Sequence, residues 1–286
     1  MSDVTPVGLL ERSYLTTALE HISQHYTVPS AGVEGFDGLV PDKVFEMFKA
    51  PFTNLNRAIA TWMGQRPKAI DVKKIASAVQ RGKLTYMGVM DKSIPLLYGQ
   101  LGETISTVNH LQRNVEIYHE FQDRIETDLY KFYASIAEDP LCLATRVTPD
   151  FPKVLAGTTL EACINSDQVH FSEKMRSGVS LFKTQYENFQ QFIDVVEATN
   201  VMVNSLYDSY GIKKVVERIN KLTRLIEGIT KAVPKEKMNP VTRKQLASHV
   251  RVIADTINWC ALTLHTVTAL ALVLRNTCDV IEKEIK

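Results

Sequence analysis

The chain has 286 residues, a formal net charge of +1, 23% charged and 45% apolar residues, and four cysteines. These values exclude a disordered, collagen-like or disulfide-framework protein, and they give no global attraction to nucleic acid or membrane. The length allows one large or two modest domains with a sizeable buried core.

Thr5 and Pro6 read as an N-cap and a first-turn proline that open a helix to about His25, with Leu9, Leu10, Leu15, Leu19 and Ile22 apolar. The opening MSDVTPVGLLERSYL places Asp3 before any apolar run and has no basic leader, which argues against a secretory signal. Between Thr27 and Pro41, Gly32, Gly35 and Gly38 flanked by Pro29 and Pro41 mark a linker or ordered turn. Residues 1–40 are therefore expected to form an N-terminal helix and linker.

Residues 41–102 read as a cluster of small helices. Asp42 caps a short one to Phe48, Pro51 interrupts it, and Thr53 caps another to Met63. Ile70 to Arg81 is helix-like, with Ile70, Ile75 and Val79 on one side, and Gly82, Gly88 and Pro95 keep the pieces short.

Beyond Gly102 the pattern lengthens. Ile105, Val108, Leu111, Val115, Tyr118, Phe121, Ile125, Leu129, Phe132 and Ile136 predict a long amphipathic helix that ends before Asp139-Pro140. Pro140 to Asn165 reads as a loop, after which Ser166 or Asp167 caps a third rod carrying Met175, Val179, Phe182, Tyr186, Phe189, Ile193 and Val196 to about Tyr207. Ile212 to Ile229 is a fourth helix, separated by Pro234 and Pro240 from the last. In that last segment Leu246, Val250, Ile253, Ile257, Cys260, Leu264, Val267, Ala271, Leu274, Cys278 and Ile281 alternate steps of four and three, a heptad seam of about five repeats. It predicts a helix of roughly 45 residues, about 65 Å long.

No stretch alternates with period two between hairpin turns. The expected fold is all-α: an elongated bundle over 103–286, three long antiparallel helices plus a shorter fourth, with the small N-terminal helices against one end or side.

Chemistry-bearing patterns are sparse. Glu116 and His119 form a Glu-x-x-His on a long helix, but a di-iron bundle needs a second copy and two further carboxylates, so a solvated helix face is the better reading. His21 and His25 are four apart without a third ligand or an HExxH pattern. His265, one residue past core position Leu264, suits a hydrogen-bonded interfacial histidine. The glycines at 32, 35 and 38 lack the preceding strand of a phosphate-binding turn. Cys142, Cys163, Cys260 and Cys278 show no metal spacing, and Cys260 and Cys278 lie about 27 Å apart on one helix, so reduced thiols are expected. No catalytic residue, cofactor or metal is assigned, and the chain reads as non-enzymatic.

Charge is informative locally. Residues 213–251 hold eleven Lys or Arg against Glu217, Glu227 and Glu236, a local +8. Lys214, Arg218, Lys221 and, more loosely, Arg224 stack along one side of the fourth helix, where they can attract phosphates or an acidic partner. The competing reading is a solvated face balanced by Glu116, Glu120, Asp123, Glu126 and Asp128 of the second helix. No aromatics interleave with the stripe, which argues against single-strand stacking. Residues 256–274 are 19 uncharged positions, long enough to span a bilayer, yet the seam runs through them with Asn258, Trp259, His265 and four threonines; a bundle core is favoured over a membrane span.

In layout the chain resembles the helical virion structural proteins of large tailed bacteriophages, especially those packed inside the head. The shared features are an acidic leading helix, a short loop, small helices with the Trp-containing piece Ile59-Ala60-Thr61-Trp62, and then long rods. Ala31-Gly32-Val33-Glu34 is similar to the small-x-Glu sites cut by phage prohead proteases. Cleavage after Glu34 would remove Asp3, Glu11, Glu20 and Glu34 with Arg12 and raise the net charge from +1 to +4. The resemblance implies a virion component made in the host cytoplasm, with other virion proteins, copies of itself or packaged DNA as partners. A nucleic-acid-binding module using 213–251 and a membrane-active protein using 256–274 are the alternatives.

Overall fold

The computed structural model describes residues 41–65, 67–85, 112, 115–116, 119–145, 149–152, 188–208 and 211–285. Every regular element among them is helical. In chain order these are α1 (Pro41–Gln65), α2 (Lys73–Gln80), a π-helical turn (Ile125–Leu129) running into α3 (Tyr130–Glu138), α4 (Phe189–Asp208), α5 (Gly211–Ala232) and α6 (Pro240–Glu284). Short 3-10 turns occupy Pro140–Ala144 and Lys235–Lys237. The N-terminal helix, the glycine loop, Glu34, His21 and His25 lie outside the described residues.

Helix α6 is the spine. Asn239 starts it, its side-chain oxygen accepting the Val241 N–H at 2.9 Å, and Pro240 follows at the first helical position, where no amide hydrogen is needed. All eleven seam positions from Leu246 to Ile281 are buried. Burial extends to the flanks, at Ala247, Ala254, Ala261 and Leu270, because α1, α2 and α4 all pack on this helix. Each fully buried Leu or Ile stabilises the fold by about 1.5–3 kcal/mol, so the seam makes a large apolar contribution. Two of the threonines buried in this core back-bond: the Thr256 hydroxyl donates to the Val252 carbonyl and that of Thr268 to Leu264, both at 2.7 Å. Among the described residues no helix is long and apolar enough to cross a membrane.

The N-terminal cluster differs from expectation. Pro51 does not interrupt the chain: residues 41–65 are one helix of 25 residues, the described helix that packs most extensively on α6. Phe48, Pro51, Leu55, Ala58, Ile59 and Trp62 form one buried face, and that apolar gain outweighs the missing proline N–H. Asp42 consequently sits inside the first turn, and Thr53 is an interior residue whose hydroxyl donates to the Lys49 carbonyl at 2.8 Å. Helix α2 is short because Gly82, at φ 68°, ends it: the Gly82 N–H reaches the Val79 carbonyl and the Lys83 N–H the Ala78 carbonyl. The extended residues before α2 are held by Asn200 of α4, which accepts the Ile70 N–H at 2.7 Å and donates to the Ile70 carbonyl at 2.9 Å.

The second predicted rod ends at Glu138 as expected, but its face turns by one residue. Phe121, Ile125, Leu129, Tyr133 and Ile136 are buried, whereas Phe132 is only partly so. The π turn at Ile125–Leu129 holds an extra residue per turn, which replaces the expected step to Phe132 with a step to Tyr133.

The expected cap of the third rod at Ser166 or Asp167 lies outside the described residues, and the described part of the rod begins after a bend at Asn188. Asn188 accepts the Gln191 N–H at 2.9 Å and a helix starts at Phe189. This helix is not antiparallel to the second rod. Gln112 Nε2 donates to the Ala198 carbonyl and His119 meets Ser205, so a step of seven residues along one matches seven along the other, and the two run parallel. The long connection between Glu138 and Asn188 makes that possible, since a short loop would have forced antiparallel neighbours.

Candidate functional site

Helix α5 buries one face and displays the other. Ile219, Leu222, Ile226 and Ile229, with Val233 just beyond, are buried against α1 and α3. Lys214, Lys221 and Arg224 are exposed on the outward side, with Glu217 among them. Arg218 is half-buried, and its Nη2 lies 2.6 Å from Glu126 Oε2 in the π turn. The acidic second helix thus does face the stripe, but at Glu126; Glu120 and Asp128 instead flank Arg124 of their own helix at 3.2 and 4.0 Å. From the last turn of α5 into the first turns of α6, Lys231, Lys237 and Lys244 are exposed and Arg243 and Arg251 half-buried, so the basic region continues into α6.

A polar cluster that the sequence reading passed over lies between α3 and α6. The Tyr133 hydroxyl donates to His249 Nδ1 at 2.5 Å, and His249 Nε2–H donates to the Pro152 carbonyl at 3.0 Å. This pairing assigns the neutral Nε2–H tautomer. Tyr133 stacks on the imidazole at 5.7 Å between centroids, and the Phe151 and Phe132 rings close the sides at 5.3 and 6.3 Å. Burial pushes the His249 pKa down to about 4 against the opposing pull of the Pro152 carbonyl, and pushes the Tyr133 phenol up. The cluster fixes residues 149–152 onto the bundle and leaves neither ring nitrogen free. Its members are about a hundred residues apart, so no local pattern marks them.

His119 is half-buried rather than on a solvated face: its Nε2 lies 2.9 Å from Ser205 Oγ, and burial lowers its pKa against the opposing effects of Gln122 and Asp123. Glu116 is exposed, so the Glu-x-x-His pair diverges. Cys142, Cys260 and Cys278 are free thiols; burial raises all three, Cys278 to about 12. Readings placed on Cys163 and on the His265 side chain fall outside what is described. Among the described residues no group of three or more His, Cys, Asp or Glu is gathered to hold a metal. A comparison of the chain with family models, curated proteins and solved structures finds no match in any of the three.

Proposed function

We propose that this chain is a non-enzymatic structural protein of a tailed-phage particle, held inside the head and associating with other virion proteins or with copies of itself. The observation that carries the structural part of this reading is α6, a 45-residue helix whose whole seam is buried. Such a helix is a scaffold for packing rather than a site. The side chains with reactive potential support the same view: His249 and Tyr133 are committed to each other, and Cys260 and Cys278 are buried. The particle setting rests on the layout resemblance and on the Ala31-Gly32-Val33-Glu34 motif.

In its finer arrangement we infer an elongated bundle in which α6 is one long helix and residues 103–138 a second, antiparallel to it. Two contacts support that direction: Tyr133 meets His249, and Leu143, further along its chain, meets Asn239, further back along the other. The described part of the third rod begins at Phe189, and α5 is the shorter fourth helix.

Mass spectrometry of purified particles tests the assignment. Peptides from α5 and α6 are expected in them, together with an N-terminal peptide that begins at Gly35. Particles free of any peptide from this chain would overturn the virion reading; a peptide spanning Glu34 and Gly35 as the sole species would overturn the processing step alone.

A further inference from the structure

We infer that this chain pairs with a second copy of itself, end to end about a two-fold axis, through the bundle end formed by the Pro140–Ala144 turn and the start of α6. That end is built as one surface. The Asn239 N–H donates to the Leu143 carbonyl and Asn239 Nδ2 to the Thr145 carbonyl, both at 3.0 Å. Leu141 and Val241 each stand two residues from the bonded pair Leu143 and Asn239, at most about 7.6 Å along the chain. They are 63% and 57% exposed, two of the three most exposed large apolar residues among those described. A single exposed Leu is ordinary, whereas two such residues brought to one place by tertiary bonds form the apolar centre of a contact.

The rim decides the partner. Glu138 and Asp139 are exposed on the Leu141 side and Lys237 and Lys244 on the Val241 side, and none of the four is in an ion pair among the described residues. Each side also carries the wrong sign for its own helix. The carboxylates close the C-terminus of α3, where the dipole favours cations, and Arg243 and Lys244 stand within the first five residues of α6, where it favours anions. An anionic membrane or a nucleic acid would be repelled by the carboxylates, and a basic partner by the lysines. A second copy related by a two-fold rotation instead brings the carboxylates of each chain to the lysines and α6 N-terminus of the other, and closes the two apolar centres on each other. Glu236, exposed beside Lys237, weakens the lysine side, and the patch is small, so the pairing is weak. This inference rests on the self-association named in the proposed function and not on the particle setting.

Sedimentation velocity of the full chain over about a hundredfold range of concentration, up to about 500 µM, tests it. The sedimentation coefficient should rise toward that of a dimer and stop there, because an isologous contact closes. L141D/V241D should weaken the association about tenfold or more, since it sets carboxylates against one another at the apolar centre. E138K/D139K and K237E/K244E should each weaken it as well, and an equimolar mixture of these two variants should regain it, because each reversed side then faces an opposite charge. K73E/K83E, a charge reversal at exposed sites on and beside α2, should associate as the parent does. Circular dichroism confirms that each variant keeps its helices. A parent that stays monomeric to the highest concentration or grows past a dimer, L141D/V241D associating as the parent does, or a mixture no more associated than its two components would each overturn the inference. None of these results bears on whether particles contain the chain, which mass spectrometry decides separately.

Discussion

Replacing His249 should remove a large part of the protein's acid sensitivity. In the folded state Nδ1 accepts from Tyr133 and Nε2–H is spent on the Pro152 carbonyl, so a proton can enter only by displacing the tyrosine donor inside an aromatic shell. Burial accordingly holds the imidazole near a pKa of about 4, against 6.5 when the chain unfolds. Between those values the unfolded chain binds more protons than the folded one. Stability is therefore unaffected by this group above about pH 6.5, falls as pH drops through the window, and has lost about 3 kcal/mol below pH 4. At pH 4.5 most of that loss is already present. Urea unfolding followed by circular dichroism at pH 7 and pH 4.5 reads it directly. H249F should be less stable than the parent at pH 7, because it leaves the Tyr133 hydroxyl unpaired, but its decrease between the two pH values should be smaller by about 2 kcal/mol. Equal decreases for H249F and the parent would refute the reasoning, as would an NMR titration placing the His249 midpoint near 6.5.

Three other substitutions separate parts of the fold. L264A in the middle of the α6 seam should cost about 2–5 kcal/mol in urea unfolding, while L141A, at an exposed position, should stay within about 0.5 kcal/mol. N200A removes both hydrogen bonds to Ile70 and should lower stability by about 1–3 kcal/mol, with faster amide exchange at Ile70. N239A deletes the α6 cap and the side-chain bond to the Thr145 carbonyl; an unfolding loss of about 1–2 kcal/mol is expected, and N239D, which keeps the cap but has no N–H for the Thr145 carbonyl, should recover only part of it.

The longest element was the most legible from sequence, and the reason is physical. A helix buried on one stripe must repeat apolar residues at its own period, and α6 does so at eleven positions without a break. The amphipathic α5 was legible on the same grounds, and so was the end of the second rod at Asp139-Pro140. Pro51 misled because its local cost is visible in the sequence while the packing that offsets it, from Phe48 to Trp62 against α6, is not. A π turn has no residue signature, so the shift from Phe132 to Tyr133 left no trace. The parallel pairing of the second rod with α4 depends on where a long connection leads. His249 sits one residue before Val250 of the seam, where spacing alone assigns it no role; only its distant partners, Tyr133 and Pro152, give it one. At the candidate site the stripe itself could be read from spacing, but its partial neutralisation by Glu126 could not.

Hydrogen–deuterium exchange with mass spectrometry tests the central structural claim most directly, namely that α6 is the spine buried within a single chain. Peptides from 250–274 should exchange slowest in the protein, well behind those of α2, and their protection should not change when the protein is diluted. Fast exchange across 250–274, or protection that vanishes on dilution, would contradict it, the latter by showing that the seam is closed only between chains.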